Sequence, residues 1–128
     1  MDTIKKRYSD EELEEFRAII NAKLATAKSD YAETMKVLTN QDTNDIDDTS
    51  PTYKALEEGS STQTKEELVN MAHRQQKFII ALQAALVRID KKTYGIDRLT
   101  GELIPKERLR IVPHATLSVQ SKQNNRNH

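Results

Sequence analysis

Four aspartates fall within seven residues, and this acidic group is the first place in the sequence where chemistry is expected. They are Asp42, Asp45, Asp47 and Asp48. Because calcium prefers carboxylate oxygens, an EF-hand loop beginning at Asp42 is the first hypothesis. Ile46 would then fill the fifth position, Asp47 would replace the glycine, and Tyr53 would replace the bidentate glutamate. The sequence therefore excludes calcium binding by this motif.

Two interpretations of the acidic segment remain open. The first is a solvated turn, because Asn, Asp, Thr, Ser and Pro cluster over residues 41–52. The second takes account of the predicted helices on either side. Carboxylates at the end of a helical rod are suited to entering a channel and meeting cations or basic side chains there. We call residues 41–63 the tip.

Other side chains that could do chemistry give no recognisable site. His73, His114 and His128 do not share a ligand-like spacing, so we expect surface or packing roles for them. The chain has no cysteine, which excludes disulfides and thiolate metal sites. There is no glycine-rich phosphate loop and no nucleophile–base pair, and an exposed acidic turn offers no water-excluding pocket for hydrolysis. We therefore expect a protein that is not an enzyme.

The composition favours an elongated helical protein. Of the 128 residues, 36% are hydrophobic and 31% are charged, which is enough for a narrow apolar seam but little for a spherical core. The formal net charge is zero, so direct DNA binding is disfavoured. No stretch approaches the roughly 20 apolar residues of a membrane span. We expect a soluble cytoplasmic protein.

Two long amphipathic helices are predicted to position the tip. Ser9 and Glu12 form a capping box at the start of the first helix, and Thr64 and Glu67 form one before the second. The first apolar stripe, with a period of eleven residues, is Leu13, Phe16, Ile20, Leu24, Ala27, Tyr31, Met35 and Leu38. The second, a heptad stripe with one polar member, is Leu68, Ala72, Gln75, Ile79, Leu82, Leu86 and Ile89. The prediction is a mostly α fold with a long antiparallel helical hairpin, a coiled coil.

The pattern changes after Lys92. Short apolar pieces around Thr100 and Gly101 predict a small β-hairpin, and Pro105 opens a single helical turn. The predicted divisions are an N-terminal tail (1–8), the helical hairpin (9–92) with its tip (41–63), a C-terminal module (93–122) and a disordered tail (123–128).

The C-terminal module, YGIDRLTGELIPKERLRIVPHATLSVQSK (94–122), resembles the zinc-finger module of the DksA/TraR family of transcription regulators. The order of elements is similar as well: helix, acidic tip, returning helix, aromatic–glycine dipeptide and module. The resemblance covers roughly residues 9 to 122. It implies a small zinc-finger-like module behind the hairpin.

The four zinc ligands of the family are absent. The positions that correspond to its two C-x-x-C pairs are Asp97, Thr100, Ser118 and Ser121. Hydroxyls and one carboxylate make a poor tetrahedral zinc site, so we expect no zinc and a degenerate module. Apolar packing and hydrogen bonds among these four residues would have to replace the metal. The expected apolar residues are Tyr94, Ile96, Leu99, Leu103, Ile104, Leu109, Ile111, Val112 and Leu117.

The resemblance also implies a function. Members of the family bind RNA polymerase, enter its secondary channel with the hairpin, and act near its active site through acidic tip residues. Aligned from the first helix, the family's two tip aspartates fall on Asp47 and Ser50, whereas alignment from the second helix places the second on Glu57. We favour Asp47, then Asp45 and Asp48, with Glu57 in reserve.

Many members of the family work with guanosine tetraphosphate, the alarmone of the stringent response. Among the basic residues expected for that effector, Arg74 and Lys122 match, but Ala81 and Val112 stand where further basic residues are expected. The resemblance therefore implies the alarmone as an effector only weakly.

A rival hypothesis from another class is a self-associating coiled-coil scaffold or adaptor. In that case Ile19, Phe78, Ile80 and Val87, which lie beside the seams, would be buried between chains. A polymerase-binding factor is expected to be a monomer, without membrane association or sequence-specific DNA binding.

Overall fold

The computed structural model describes residues 6–43 and 64–126. The described residues contain four α-helices and no strand. These helices are α1 (Asp10–Thr43), α2 (Lys65–Asp90), α3 (Lys106–Ile111) and α4 (Val119–Arg126). The predicted mostly α architecture is confirmed. The predicted β-hairpin is reduced to one antiparallel bridge between Ile96 and Leu103.

Both long helices begin at the predicted capping boxes. The Glu12 amide donates to Ser9 Oγ at 3.1 Å, and the Ser9 amide donates to Glu12 Oε1 at 2.9 Å. Before α2, the Glu67 amide donates to Thr64 Oγ1 at 3.1 Å, and the Thr64 amide donates to Glu67 Oε2 at 3.4 Å. Each box satisfies amides that the helix itself leaves unpaired, which fixes the first turn.

The apolar stripe of α1 differs from the prediction near its end. Met35 is 38% exposed, whereas Thr34 is 8% exposed and takes the seam position. From Ile20 onward the seam therefore follows steps of four and three, a heptad rather than the predicted eleven-residue period. The Thr34 hydroxyl donates to the Asp30 carbonyl at 3.1 Å, which explains how a polar residue is accommodated there.

The chain divides into two compact units. The first comprises residues 1–24 and 80–128, so it contains the start of α1, the end of α2 and the C-terminal module. The start of α1 lies beside the end of α2, because Arg17 Nη2 contacts Asp90 Oδ1 at 2.9 Å and Lys92 Nζ contacts Asp10 Oδ1 at 2.9 Å. The buried apolar side chains of this unit are Tyr8, Leu13, Phe16, Ile20, Leu24, Leu82, Ala85, Ile89, Tyr94, Ile104, Leu109, Ala115 and Leu117.

The second unit comprises residues 25–79. Within it the last turns of α1 pack against the first turns of α2, as an antiparallel hairpin requires. Its core consists of Val37, Leu38, Leu68 and Ala72, with Tyr31 and Val69 packed against it. Gln75 brings a polar group into this seam. Among the described residues its side-chain oxygen is buried and has no hydrogen-bond partner.

Residues at the inner edge of each predicted tail make ordered contacts in the structure. Tyr8, which was assigned to an N-terminal tail, is only 4% exposed and belongs to the core of the first unit. At the other end α4 continues to Arg126, although no ordered structure was predicted after residue 122. The physical reason is a capped start: the Ser121 amide donates to Ser118 Oγ at 3.1 Å, which nucleates a helix that the polar residues then extend.

The apolar packing of the C-terminal module follows the prediction at most positions. Tyr94, Ile104 and Leu109 are fully buried, whereas Leu99 and Ile111 are 52% and 77% exposed. The two exceptions lie in a surface turn and at the end of the short helix α3.

Candidate functional site

Asp97, Thr100, Ser118 and Ser121 are connected by hydrogen bonds, and the carboxylate of Asp97 is at the centre. Its Oδ1 accepts from the amides of Leu99 at 2.8 Å and Thr100 at 3.3 Å. Its Oδ2 accepts from the Ser118 amide at 3.0 Å and from the Ser121 hydroxyl at 2.6 Å. Asp97 is 2% exposed, so this carboxylate joins two segments of the C-terminal module inside the protein.

A tight turn presents the carboxylate of Asp97. The Gly101 amide donates to the Asp97 carbonyl at 2.8 Å, and the Asp97 amide donates to the Glu102 carbonyl at 2.8 Å. Gly101 has φ of +76°, a left-handed conformation that glycine adopts without strain. The side chain of Asp97 accepts from the two amides that follow it, as in an Asx turn. Contacts within the turn itself therefore help to fix the direction of the carboxylate.

The other partner of Asp97 is the first turn of α4. Ser118 is the N-cap, since its Oγ accepts from the Ser121 amide and its carbonyl accepts from the Lys122 amide at 2.9 Å. Asp97 adds a carboxylate from a distant part of the chain at the same helix terminus. Unpaired amides at the start of a helix favour negative charge, so the arrangement is electrostatically favourable.

The pKa of Asp97 reflects these contacts. Burial acts to raise it, but the hydrogen bonds from Ser121, Ser118 and Leu99 outweigh burial and lower the pKa below the ordinary value of 3.8. The side chain is therefore ionised at neutral pH. A buried carboxylate that accepts four hydrogen bonds is stable only while its partners remain in place.

The residues at this position do not fit a zinc ion. The single carboxylate already accepts four hydrogen bonds, and Thr100 Oγ1 accepts from the Glu102 amide at 3.1 Å. Structural zinc requires four thiolate or imidazole ligands in a tetrahedral arrangement. Within residues 6–43 and 64–126, no three His, Asp or Glu side chains come together as a metal site. That the purified protein lacks zinc stays a prediction.

A second group of polar residues surrounds Lys122. Lys122 lines a surface pocket with Arg108, His114 and Arg126. The Arg108 guanidinium is held by a 2.7 Å hydrogen bond from Nε to the Leu117 carbonyl. Burial lowers the pKa of His114, and the neighbouring cations, including Arg108 and Lys122, lower it further. The pocket therefore has a positive potential that favours anions.

Arg74, the other basic residue expected for the alarmone, does not line that pocket. Arg74 is exposed on α2 and belongs to the second compact unit. Val112 lines the pocket around Lys122, and it contributes an apolar surface where a basic residue was expected. The tip acids lie outside the described residues; they are Asp45, Asp47, Asp48 and Glu57.

Sequence reasoning missed the contacts that the N-terminal residues make with the C-terminal module. The Tyr8 hydroxyl donates to the Ile104 carbonyl, and Lys106 Nζ contacts Glu12 Oε2 at 2.6 Å. A local signal for Tyr8 was present. It precedes the N-cap Ser9, and Leu13 stands at the fourth helical position, which is the pattern of a hydrophobic staple.

Comparison with known proteins identifies the fold. No family model matches the sequence, and no curated protein matches it. The structure of the transcription factor DksA2 from Pseudomonas aeruginosa superposes with a TM-score of 0.70 over 90% of this chain and 83% of that chain, at 22% sequence identity. This chain has a DksA-like fold.

The DksA-like fold agrees with the antiparallel pairing seen separately in each compact unit. It confirms the fold class that the two helical stripes predicted. Among the helices that the structure describes, none combines the length and apolar content needed to cross a membrane.

Proposed function

We propose that this protein is a transcription regulator that binds RNA polymerase. The observation that carries the proposal is the DksA-like fold, which it shares with a protein described as a transcription factor. The zero net charge supports a protein partner over direct binding to DNA. The regulator acts in the cytoplasm as a monomer, and it is not an enzyme.

The mode of action follows from the position of the acidic segment in the chain. In the sequence the tip stands between the two long helices, whose adjoining turns pack against each other in the second compact unit. The hairpin enters the secondary channel of the polymerase, and the tip carboxylates act near the active site. Asp47 is the principal acid, followed by Asp45 and Asp48, with Glu57 in reserve.

Guanosine tetraphosphate is a candidate effector. Lys122 supports this part of the proposal because it lies in a pocket with Arg108, His114 and Arg126, where phosphate groups would be electrostatically favoured. Arg74, in the second compact unit, is proposed separately as a residue that contacts the effector. The neutral residues at Ala81 and Val112 predict weaker dependence on the alarmone than four basic residues would give.

The decisive experiment is a pull-down with the RNA polymerase of the host, combined with transcription in vitro. The wild-type protein is expected to retain the polymerase and to change the yield of transcript. Asp47→Ala should still bind but lose the effect on transcription, because only the acidic group is removed. Asp30→Ala, at an exposed position of α1, is the matched control and should behave as the wild type. Failure of the wild type to associate would overturn the proposal.

Self-association is the second candidate function, and a specific observation favours it. Ile80 and Val87 are two turns apart and therefore lie on the same face of α2. They are 57% and 49% exposed, and Phe78 is 37% exposed. Ile19 is half-buried and contributes less. Sedimentation equilibrium distinguishes the two functions. A monomer supports the polymerase-binding role, whereas a tight dimer that Ile80→Ser dissociates supports the scaffold.

A further inference from the structure

Tyr8 connects the first residues of the described chain to the C-terminal module. Its hydroxyl donates to the carbonyl of Ile104, a residue 96 positions later, and the bond is buried. Its ring meets Phe16 at a centroid distance of 5.6 Å in an edge-to-face arrangement, and Phe16 meets Tyr94 at 5.3 Å. Such aromatic pairs contribute beyond their buried area. Tyr8 therefore contacts α1, and through Ile104 it contacts the module.

Gly95 shows how closely the module approaches Tyr8. A Cβ atom at residue 95 would lie 2.6 Å and 2.7 Å from two ring carbons of Tyr8, which is closer than real Cβ contacts. Gly95 also has φ of +79°, and its carbonyl accepts from the Ile104 amide at 2.7 Å. The backbone at Gly95 and Ile104 thus forms one surface that the tyrosine covers.

Charged residues of α1 and of the C-terminal module lie next to the contact between Tyr8 and Ile104. Lys106 Nζ, at the start of α3, contacts Glu12 Oε2 at 2.6 Å, and the Glu12 side chain is only 15% exposed. Glu12 also completes the capping box of α1, so one carboxylate serves both α1 and the module. Burial, and secondly the charge of Glu12, raise the pKa of Tyr8. The tyrosine hydroxyl therefore stays protonated and remains a donor at neutral pH.

We propose that Tyr8 is a positioning residue that holds the cysteine-free C-terminal module against the start of α1. The hydrogen bonds of Asp97 join two segments of the module to each other, whereas Tyr8 joins the module to the start of α1. This inference concerns the chain alone and does not depend on the identity of the partner. It predicts that loss of Tyr8 loosens the module selectively and leaves the second compact unit unchanged.

Hydrogen exchange measured by mass spectrometry on the full chain tests this role. Tyr8→Phe removes only the hydroxyl, and we expect exchange in peptides from residues 94–112 to accelerate about fivefold, the effect of one hydrogen bond. Tyr8→Ala also removes the ring, and acceleration there should reach about 100-fold. Peptides from residues 65–79, in the second unit, should change by less than about twofold.

Two controls make the result specific. Tyr31→Phe removes a tyrosine hydroxyl from α1 in the second unit, and Ile111→Ala shortens an exposed side chain of the module. Neither should accelerate exchange in residues 94–112. The positioning role is overturned if Tyr8→Phe accelerates exchange equally in both regions, or if neither Tyr8 variant accelerates exchange in the module. Because Tyr8→Phe keeps the buried ring, the test remains valid even if Tyr8→Ala does not fold.

Discussion

The Ser121 hydroxyl donates a 2.6 Å hydrogen bond to Asp97 Oδ2 across 24 positions of the sequence. Both residues are buried, at 5% and 2% exposure. The bond connects the turn after Gly95 to the first turn of α4. A charge-assisted hydrogen bond is directional and stronger than a neutral one, so it restrains the two segments as a short cross-link would. Its strength depends on the ionised state of Asp97.

Asp97→Asn is expected to destabilise the protein by about 3 kcal/mol, because the amide group that replaces one oxygen would face donors instead of accepting from them. Urea unfolding followed by circular dichroism measures the change. Asp90→Asn is the matched control. Asp90 is 64% exposed and pairs with Arg17 at the surface, so its loss should leave the free energy of unfolding nearly unchanged. Equal effects of the two substitutions would contradict the central role of Asp97.

The difference in stability between the wild type and Asp97→Asn is expected to depend on pH. The pKa of Asp97 is lower in the folded state than the unfolded value of 3.8, so the stabilisation is fully present above that value and decreases as pH falls below it. The stability difference between wild type and Asp97→Asn should therefore be constant from pH 7 to about 5 and should narrow below about 4. A difference that widens with acid would show that the carboxylate is not stabilised by its partners.

Removal of metal is expected to have no effect. The chain has no cysteine and the Asp97 network does not fit zinc, so metal analysis should find no stoichiometric zinc, and a chelator should leave the Tm unchanged. A variant that carries Cys at all four positions, Asp97, Thr100, Ser118 and Ser121, is the informative comparison. It should bind zinc and become sensitive to the chelator. A chelator-sensitive wild type would refute the metal-free interpretation.

Gln75→Leu should stabilise the protein. The buried side-chain oxygen of Gln75 has no hydrogen-bond partner among the described residues, and it occupies a seam position of α2. Replacing it with an apolar side chain removes the desolvation penalty and should add about 1 kcal/mol to the free energy of unfolding. Gln76→Leu, at the exposed neighbouring position, should give no comparable gain. The measurement is the urea midpoint of both variants.

Gly95→Ala and Gly101→Ala separate backbone strain from close packing. Both glycines have positive φ, but a Cβ at Gly101 meets nothing within 4 Å, whereas one at Gly95 meets the Tyr8 ring. Gly101→Ala should cost about 1 kcal/mol, and Gly95→Ala should cost about 3 kcal/mol. In a Tyr8→Ala background the cost at Gly95 should fall towards that at Gly101, as a double-mutant cycle would show. Costs that simply add would contradict the contact.

Local sequence patterns predicted the structural features that depend on residues close together in the chain. Ser9 with Glu12 and Thr64 with Glu67 predicted where both long helices begin, because capping is a contact over three residues. The seam was predicted less accurately. Met35 is more hydrophobic than Thr34, yet Thr34 is buried, since the heptad facing the partner helix decides burial and the hydroxyl pairs with the carbonyl of Asp30.

The Asp97 network was predicted in part. The C-x-x-C-like spacing predicted hydrogen bonds among Asp97, Thr100, Ser118 and Ser121. In the structure all four are connected by hydrogen bonds. The sequence did not predict which donors each of these side chains would accept from. Asp97 accepts from both segments, whereas Thr100 Oγ1 accepts from the Glu102 amide within its own turn. These differences depend on the backbone conformation of each turn, which the spacing of the residues alone does not predict.

The sequence by itself determined the helical character and the capped starts of the long helices, and it singled out Asp97, Thr100, Ser118 and Ser121 as a possible group. Only the tertiary structure decided that Tyr8 belongs to the core and that Glu12 serves both α1 and Lys106. The physical reason is the range of the interactions. Capping and amphipathic periodicity act over one or two helical turns, whereas Tyr8 and Ile104 meet only after the chain has folded back across 96 positions.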